Sequence, residues 1–154
     1  MARNAYPVFS HEYFMTKALE LAHQAYENNE VPVGALVVAD GKKIIGKGFN
    51  QTEQLNDVTA HAEILAITAA SNFLGAKYLK NCTLYITLEP CVMCAGAIAW
   101  AQIDRVVYAA KDIKKGYSKY SPAIIHPKYD IVPGILQNES EHLLKIFFKR
   151  LRDT

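Results

Sequence analysis

Residues 59–94 read TAHAEILAITAASNFLGAKYLKNCTLYITLEPCVMC, and their pattern decides the fold. From Thr59 to about Phe73 the apolar residues Ile64, Leu65, Ile67 and Ala69 recur at helical spacing. Thr59 is placed to cap this helix, and Gly75 stands where a helix stop is expected. Thr83 to Leu88 is a short strand. Pro90 suits the first turn of a following helix, where its missing N–H has no partner to lose. That helix runs to about Ala101. Helix, strand and helix in succession, with apolar faces throughout, belong to a layered α/β core.

The flanking segments extend the same alternation. Upstream, Ser10 to Asn29 reads as a helix, with Ser10 as cap and Phe14, Ala18, Leu21, Ala22 and Ala25 as one stripe. Met1 to Pro7 is a short lead-in. Val33 to Ala39 is a near-continuous apolar run, the signature of a strand buried on both faces. Asp40-Gly41 is a hairpin signal and Lys43 to Phe49 the returning strand. Residues 51–58 are a polar loop. Downstream, Arg105 to Ala110 is a fourth strand and Lys111 to Lys128 an irregular stretch. Ile131 to Pro133 reads as an edge strand that tolerates its proline. A last helix starts at Asn138 or Ser140 and carries Leu143, Leu144, Phe147, Phe148 and Leu151. The expectation is one domain over 1–154. It is a three-layer α/β/α sandwich on a mixed sheet of about five strands, helices on both faces. One hairpin is antiparallel and the other strand pairs are parallel.

Composition narrows the class. Hydrophobic residues make up 51% of the 154 and charged residues 21%, which is ordinary for a globular chain. No run approaches the ~20 apolar residues that cross a bilayer, so no membrane association is expected. The N-terminal residues lack a signal-peptide pattern, and the cytoplasm is the expected location. The three cysteines, Cys82, Cys91 and Cys94, argue against a disulfide framework. A formal charge of +2 neither requires nor excludes a nucleic-acid partner.

His61, Cys91 and Cys94 form a Cys₂His set. Zinc favours such donors in four-coordinate sites, and a catalytic zinc keeps three protein ligands with one place open. Cys91 and Cys94 lie three residues apart at a helix start and share a face. The N-terminal end of a helix also favours thiolate. Glu63, two places after His61, could not serve the same site in mid-helix, but at a helix tip both side chains can lean toward one ion. There Glu63 would accept and donate a proton beside an activated water. A competing reading brings in Cys82 as a fourth ligand and makes the site structural.

The motifs His61-x-Glu63 and Pro90-Cys91-x-x-Cys94 resemble the zinc deaminase signature. The stretches Glu30 to Ala35, Asp57 to Glu63, Leu88 to Ile98 and Arg105 to Tyr108 resemble the bacterial tRNA adenosine deaminases. The resemblance implies a cytidine deaminase-like fold, one Zn²⁺ per subunit and hydrolytic conversion of adenosine to inosine at the wobble position of a tRNA anticodon. It implies that His61, Cys91 and Cys94 are ligands and Glu63 the proton shuttle. It also implies that Asn50 meets the purine, that Val31 and the backbone of Ala62 line the pocket, and that Asp112 contacts RNA near the target nucleotide. A homodimer is implied as well, with the small-residue helix Ala95 to Ala99 in its interface and the anticodon stem-loop as partner.

The chain departs from that pattern after Asp112, where Ile113-Lys114-Lys115-Gly116-Tyr117-Ser118-Lys119 replaces the family's small-residue stretch. Trp100 and Ala109-Ala110 resemble bacterial guanine deaminases, so a free-purine deaminase is the alternative. Lys111, Lys114, Lys115 and Lys119 interleave with Tyr117 and Tyr120, a composition suited to a single-stranded loop.

Overall fold

The computed structural model describes residues 4–154, so the first three residues of the expected lead-in lie outside it. The elements in chain order are α1 (His11–Glu27), β1 (Gly34–Ala39), β2 (Lys43–Phe49), α2 (Ala62–Leu74), β3 (Cys82–Leu88), α3 (Val92–Ala101) and β4 (Arg105–Ala110). They are followed by the single-turn α4 (Tyr117–Tyr120), a 3-10 turn, β5 (Asp130–Val132) and α5 (Gln137–Arg152). The sheet order is β2-β1-β3-β4-β5.

The expected three layers are present. Leu36, Val38, Tyr85, Val107 and Ala109 face α1 in one apolar cluster, which α5 closes through Leu136 and its packing against β4. Their sequence neighbours Ala35, Val37, Leu84, Ile86, Val106 and Tyr108 face α2 and α3 in the other. The period of two thus sends successive residues of each central strand to opposite cores, and each strand is apolar throughout for that reason.

Strand direction differs from expectation. β1 is antiparallel to β3 as well as to β2, and only β3, β4 and β5 run parallel. The physical reason is the crossover: α2 joins the parallel strands β2 and β3, and the hairpin strand β1 lies between them. The elements in sequence give their order of appearance but not which strand is inserted between which. At the hairpin Asp40 and Gly41 both take positive φ, 54° and 69°, as the Asp-Gly signal requires.

Helix boundaries show how local chemistry is used. Ser10 caps α1, its side chain accepting from Tyr13 N at 3.1 Å. Gly75 ends α2 in the left-handed region at φ 63°. Thr59 is not the cap of α2; His61 occupies that position, and Thr59 instead donates its N–H and hydroxyl to Asp57 Oδ1 at 2.8 and 2.7 Å. Pro90 precedes α3 rather than opening it, because Cys91 is the cap residue. α5 starts at Gln137, one residue before the expected range. Ser140 is already inside it, its hydroxyl donating to Thr87 O at the end of β3.

This topology collects the site. β2, β3 and β4 run the same way, so their C-terminal ends share one edge of the sheet. β2 leads into α2 and β3 into α3, so two helix N-termini meet there. Because β1 runs the other way, the residues before it, Glu30 to Val33, lie at that same edge. α2 lies close against β2, since a Cβ at Gly48 would collide with the carbonyl of Ala62 at the helix start.

Candidate active site

His61 and Cys91 are the cap residues of α2 and α3, both with extended backbone and neither making a side-chain capping bond. The positions usually given to Ser or Thr hydroxyls hold side chains that could ligate a metal instead. His61 Nδ1 lies 3.6 Å from Cys91 Sγ and 3.4 Å from Cys94 Sγ. A tetrahedral zinc, at ~2.3 Å from sulfur and ~2.0–2.1 Å from nitrogen, would hold such a pair about 3.5 Å apart. All three ligand atoms lie within 4.8 Å of one another. The donor set therefore fits zinc in both chemistry and spacing, with three protein ligands.

Cys82 is excluded from that set. It opens β3, whose other end leads to Cys91, about 20 Å away along the strand at ~3.3 Å per residue. It is buried, and its thiol donates to Lys80 O at 3.5 Å. The four-ligand structural reading has no fourth cysteine to use.

The protonation pattern prepares the ligands. The hydrogen bond from Cys94 draws the Cys91 thiol down to about 4, with His61 adding to it against the cost of burial. Cys94 is pushed up by that same bond and by its own burial. His61 is raised, chiefly by its bond to Cys91. One thiolate thus forms easily without a metal and the second does not. A divalent cation, which requires both deprotonated, relieves the conflict.

Glu63 lies in the first turn of α2 and is 3% exposed. Burial pushes its carboxyl from 4.5 up to about 7, with His61 pulling the other way. Between those values the unfolded chain has released the proton and the folded chain has not, so stability falls as pH rises through that window. Metal-free Glu63→Gln should therefore gain on metal-free wild type by about 2–3 kcal/mol between about pH 5 and about pH 8. Denaturant midpoints at the two pH values read this; a gap that does not change with pH would contradict it.

A cavity of about 220 Å³ opens beside these groups. Its volume is below the ~300–1,000 Å³ usual for small-molecule sites, a size for one base rather than a whole nucleotide. Val31, Asn50, His61, Ala62, Glu63, Cys91 and Asp112 all line it, and Cys94 is fully buried beneath. Asn50 is held by Nδ2 donating to Val31 O at 3.3 Å. Its Oδ1 is buried with no partner among the described residues.

Two buried carboxylates were not singled out by the sequence. Glu30, 1% exposed, accepts from the N–H groups of Glu53 and Gln54 at 3.1 and 2.8 Å, fastening the loop between Asn50 and His61. Glu89, 2% exposed, accepts from Asp112 N at 3.2 Å and from Ser118 N and Oγ at 3.1 and 2.6 Å. Each stands inside a motif quoted for other members, Glu30-Val31-Pro32 and Leu88-Glu89-Pro90. For Glu89 the available signal was a carboxylate between apolar residues, since such a group must find donors.

Residues 9–110 match the family model for the cytidine and deoxycytidylate deaminase zinc-binding region. A tRNA-specific adenosine deaminase of Aquifex aeolicus is 44% identical over 149 residues, covering 92% of this chain and 96% of that protein. A solved structure from work on A-to-I editing by tRNA:A34 deaminases at the wobble position superposes with a TM-score of 0.79 at 43% identity, covering 85% and 98% of the two chains. The guanine deaminase of Bacillus subtilis is 45% identical but matches only 66% of this chain and 65% of its own, with a TM-score of 0.63. The full-length likeness and the Cys₂His centre agree: the chain belongs to the cytidine and deoxycytidylate deaminase zinc-binding family, among the tRNA-specific adenosine deaminases.

Proposed function

We propose that this chain hydrolyses the 6-amino group of adenosine at the wobble position of a tRNA anticodon, leaving inosine. The observation that carries the reading is the placement of the three zinc donors beside one base-sized cavity that Glu63 and Asn50 line. The choice of RNA over a free purine is supported by relatives that match over nearly the whole chain and are named for tRNA.

His61, Cys91 and Cys94 would hold the zinc, which when bound would supply the Lewis acid that brings the pKa of a water to about 7. Glu63 takes a proton from the attacking water and passes it to N1 of the ring, then takes the proton of the resulting C6 hydroxyl and gives it to the amino group as that leaves C6. Ammonia departs and the carbonyl of inosine remains. In the metal-free chain burial raises the Glu63 carboxyl above its ordinary value, toward the range in which one group can act as base and acid in turn. Asn50, Val31 and the backbone of Ala62 hold the base, and Asp112 stands at the RNA side of the cavity.

The working form is a homodimer in the cytoplasm. Met93, Gly96, Ala97 and Trp100 recur along the outer face of α3, with Trp100 83% exposed, a surface suited to a second copy of this helix. Sedimentation at assay concentration reads that state, and a monomer would refute it. Among the described residues no helix is long and apolar enough to cross a membrane.

Zinc-loaded protein should form inosine in an anticodon stem-loop with adenine at the wobble position and leave free guanine unchanged. Turnover of guanine alone would assign the chain to free-purine deamination instead.

A further inference from the structure

The segment after β4 is held as a strap across the cavity. Glu89 grips it at Asp112 and Ser118. Gly116 pairs by backbone with the ligand residue Cys91, and Tyr117 N donates to Pro90 O at 2.9 Å. A side chain at 116 would run into the Glu89 carboxylate, so glycine is required for this close approach. Asp112 Oδ1 accepts from Lys114 N and Lys115 N at 3.2 and 3.0 Å. The backbone at Lys115 is therefore fixed on both sides, one residue from a position tied to the metal-ligand loop.

The lysines of the strap are not equivalent. Lys111 and Lys114 line a neighbouring groove, and the Lys119 ammonium lies 5.4 Å from the centre of the Tyr120 ring. Lys115 is the one lysine or arginine among the described residues lining the cavity of Glu63 and Asn50. Its ammonium has no ion pair or hydrogen bond among the described residues, while Glu89 and Asp112 beside it are engaged with backbone N–H groups. A cavity that admits one base leaves the sugar and phosphate of the same nucleotide outside, and Lys115 is both exposed and part of the cavity lining.

We propose that the Lys115 ammonium binds a backbone phosphate next to the nucleotide whose base enters the cavity, and so favours a nucleic-acid strand over a free purine. The inference rests on the RNA reading above. A base alone has no phosphate and gains nothing from this cation. A phosphate contact carries no base information, so its effect falls on binding and on salt dependence rather than on the chemical step.

The test uses full-length zinc-loaded protein, wild type, Lys115→Ala and Lys115→Arg, with the anticodon stem-loop across about 50 to 200 mM salt. Lys115→Ala should raise KM roughly three- to tenfold with kcat held, as removal of one exposed cation from a phosphate predicts. The plot of log kcat/KM against log salt should become shallower by about 0.7, the slope that one neutralised phosphate of a single strand carries. Lys115→Arg should restore the slope. Plots parallel to wild type, or a loss in kcat alone, would overturn the role. A wild type inactive on the stem-loop but active on guanine would instead overturn the RNA reading itself, and the role of Lys115 with it. The wild-type arm alone separates the two failures.

Discussion

Glu63→Ala should lower kcat by about 10³–10⁴-fold while zinc content stays at that of wild type, measured on the same preparation. The size follows from the number of proton transfers that one carboxyl is asked to perform. General acid–base catalysis is worth ~10²–10⁴-fold, and a group serving water, ring nitrogen and leaving amine belongs at the upper end. The loss corresponds to about 4–5 kcal/mol of transition-state stabilisation. Zinc should be retained because the three donors lie within 4.8 Å of one another without help from Glu63. Glu63→Gln should behave the same way, since an amide of equal size cannot exchange the proton. Turnover within tenfold of wild type in either variant would rule out the shuttle role.

Cys91→Ala should leave the protein folded and unable to hold zinc after dialysis against a chelator, with deamination lost. Cys91 is half-exposed at the tip of α3, so removing its sulfur opens no large hole in the core. What disappears is one of three donors and the thiol that is drawn down to about 4. Two remaining donors cannot compete with a chelator. The contrast is Cys82→Ala, at the opposite end of β3, which should retain full zinc. Zinc retained by Cys91→Ala, or lost by Cys82→Ala, would mean that the ligand set is wrong.

Much of this was legible in the residues because their chemistry is local. Ser10, Gly75 and Asp40-Gly41 acted as their types dictate, and the apolar run of β1 marked a strand with two buried faces. His61, Cys91 and Cys94 were legible as a group able to hold a metal, because metal ligation demands particular atoms at particular spacings. Thr59 misled because a better capping residue by propensity stood two places before the residue that the site required at the helix tip. The antiparallel β1–β3 pairing was not legible, since it depends on where a crossover lands rather than on any residue in the strands. Glu30 and Glu89 were hidden because their work is to receive hydrogen bonds from segments 22 to 29 residues away. Lys115 looked like its three neighbours until the strap gave each lysine a different outlook.

The central claim is that a zinc held by His61, Cys91 and Cys94, with Glu63 beside it, deaminates the wobble adenosine. The direct measurement strips the metal with a chelator, then adds back zinc in steps while inosine at the wobble position of the anticodon stem-loop is followed. No inosine is expected from the stripped protein, with recovery that saturates at one zinc per chain. Inosine formed at full rate by the stripped protein, or none after zinc is restored, would contradict it.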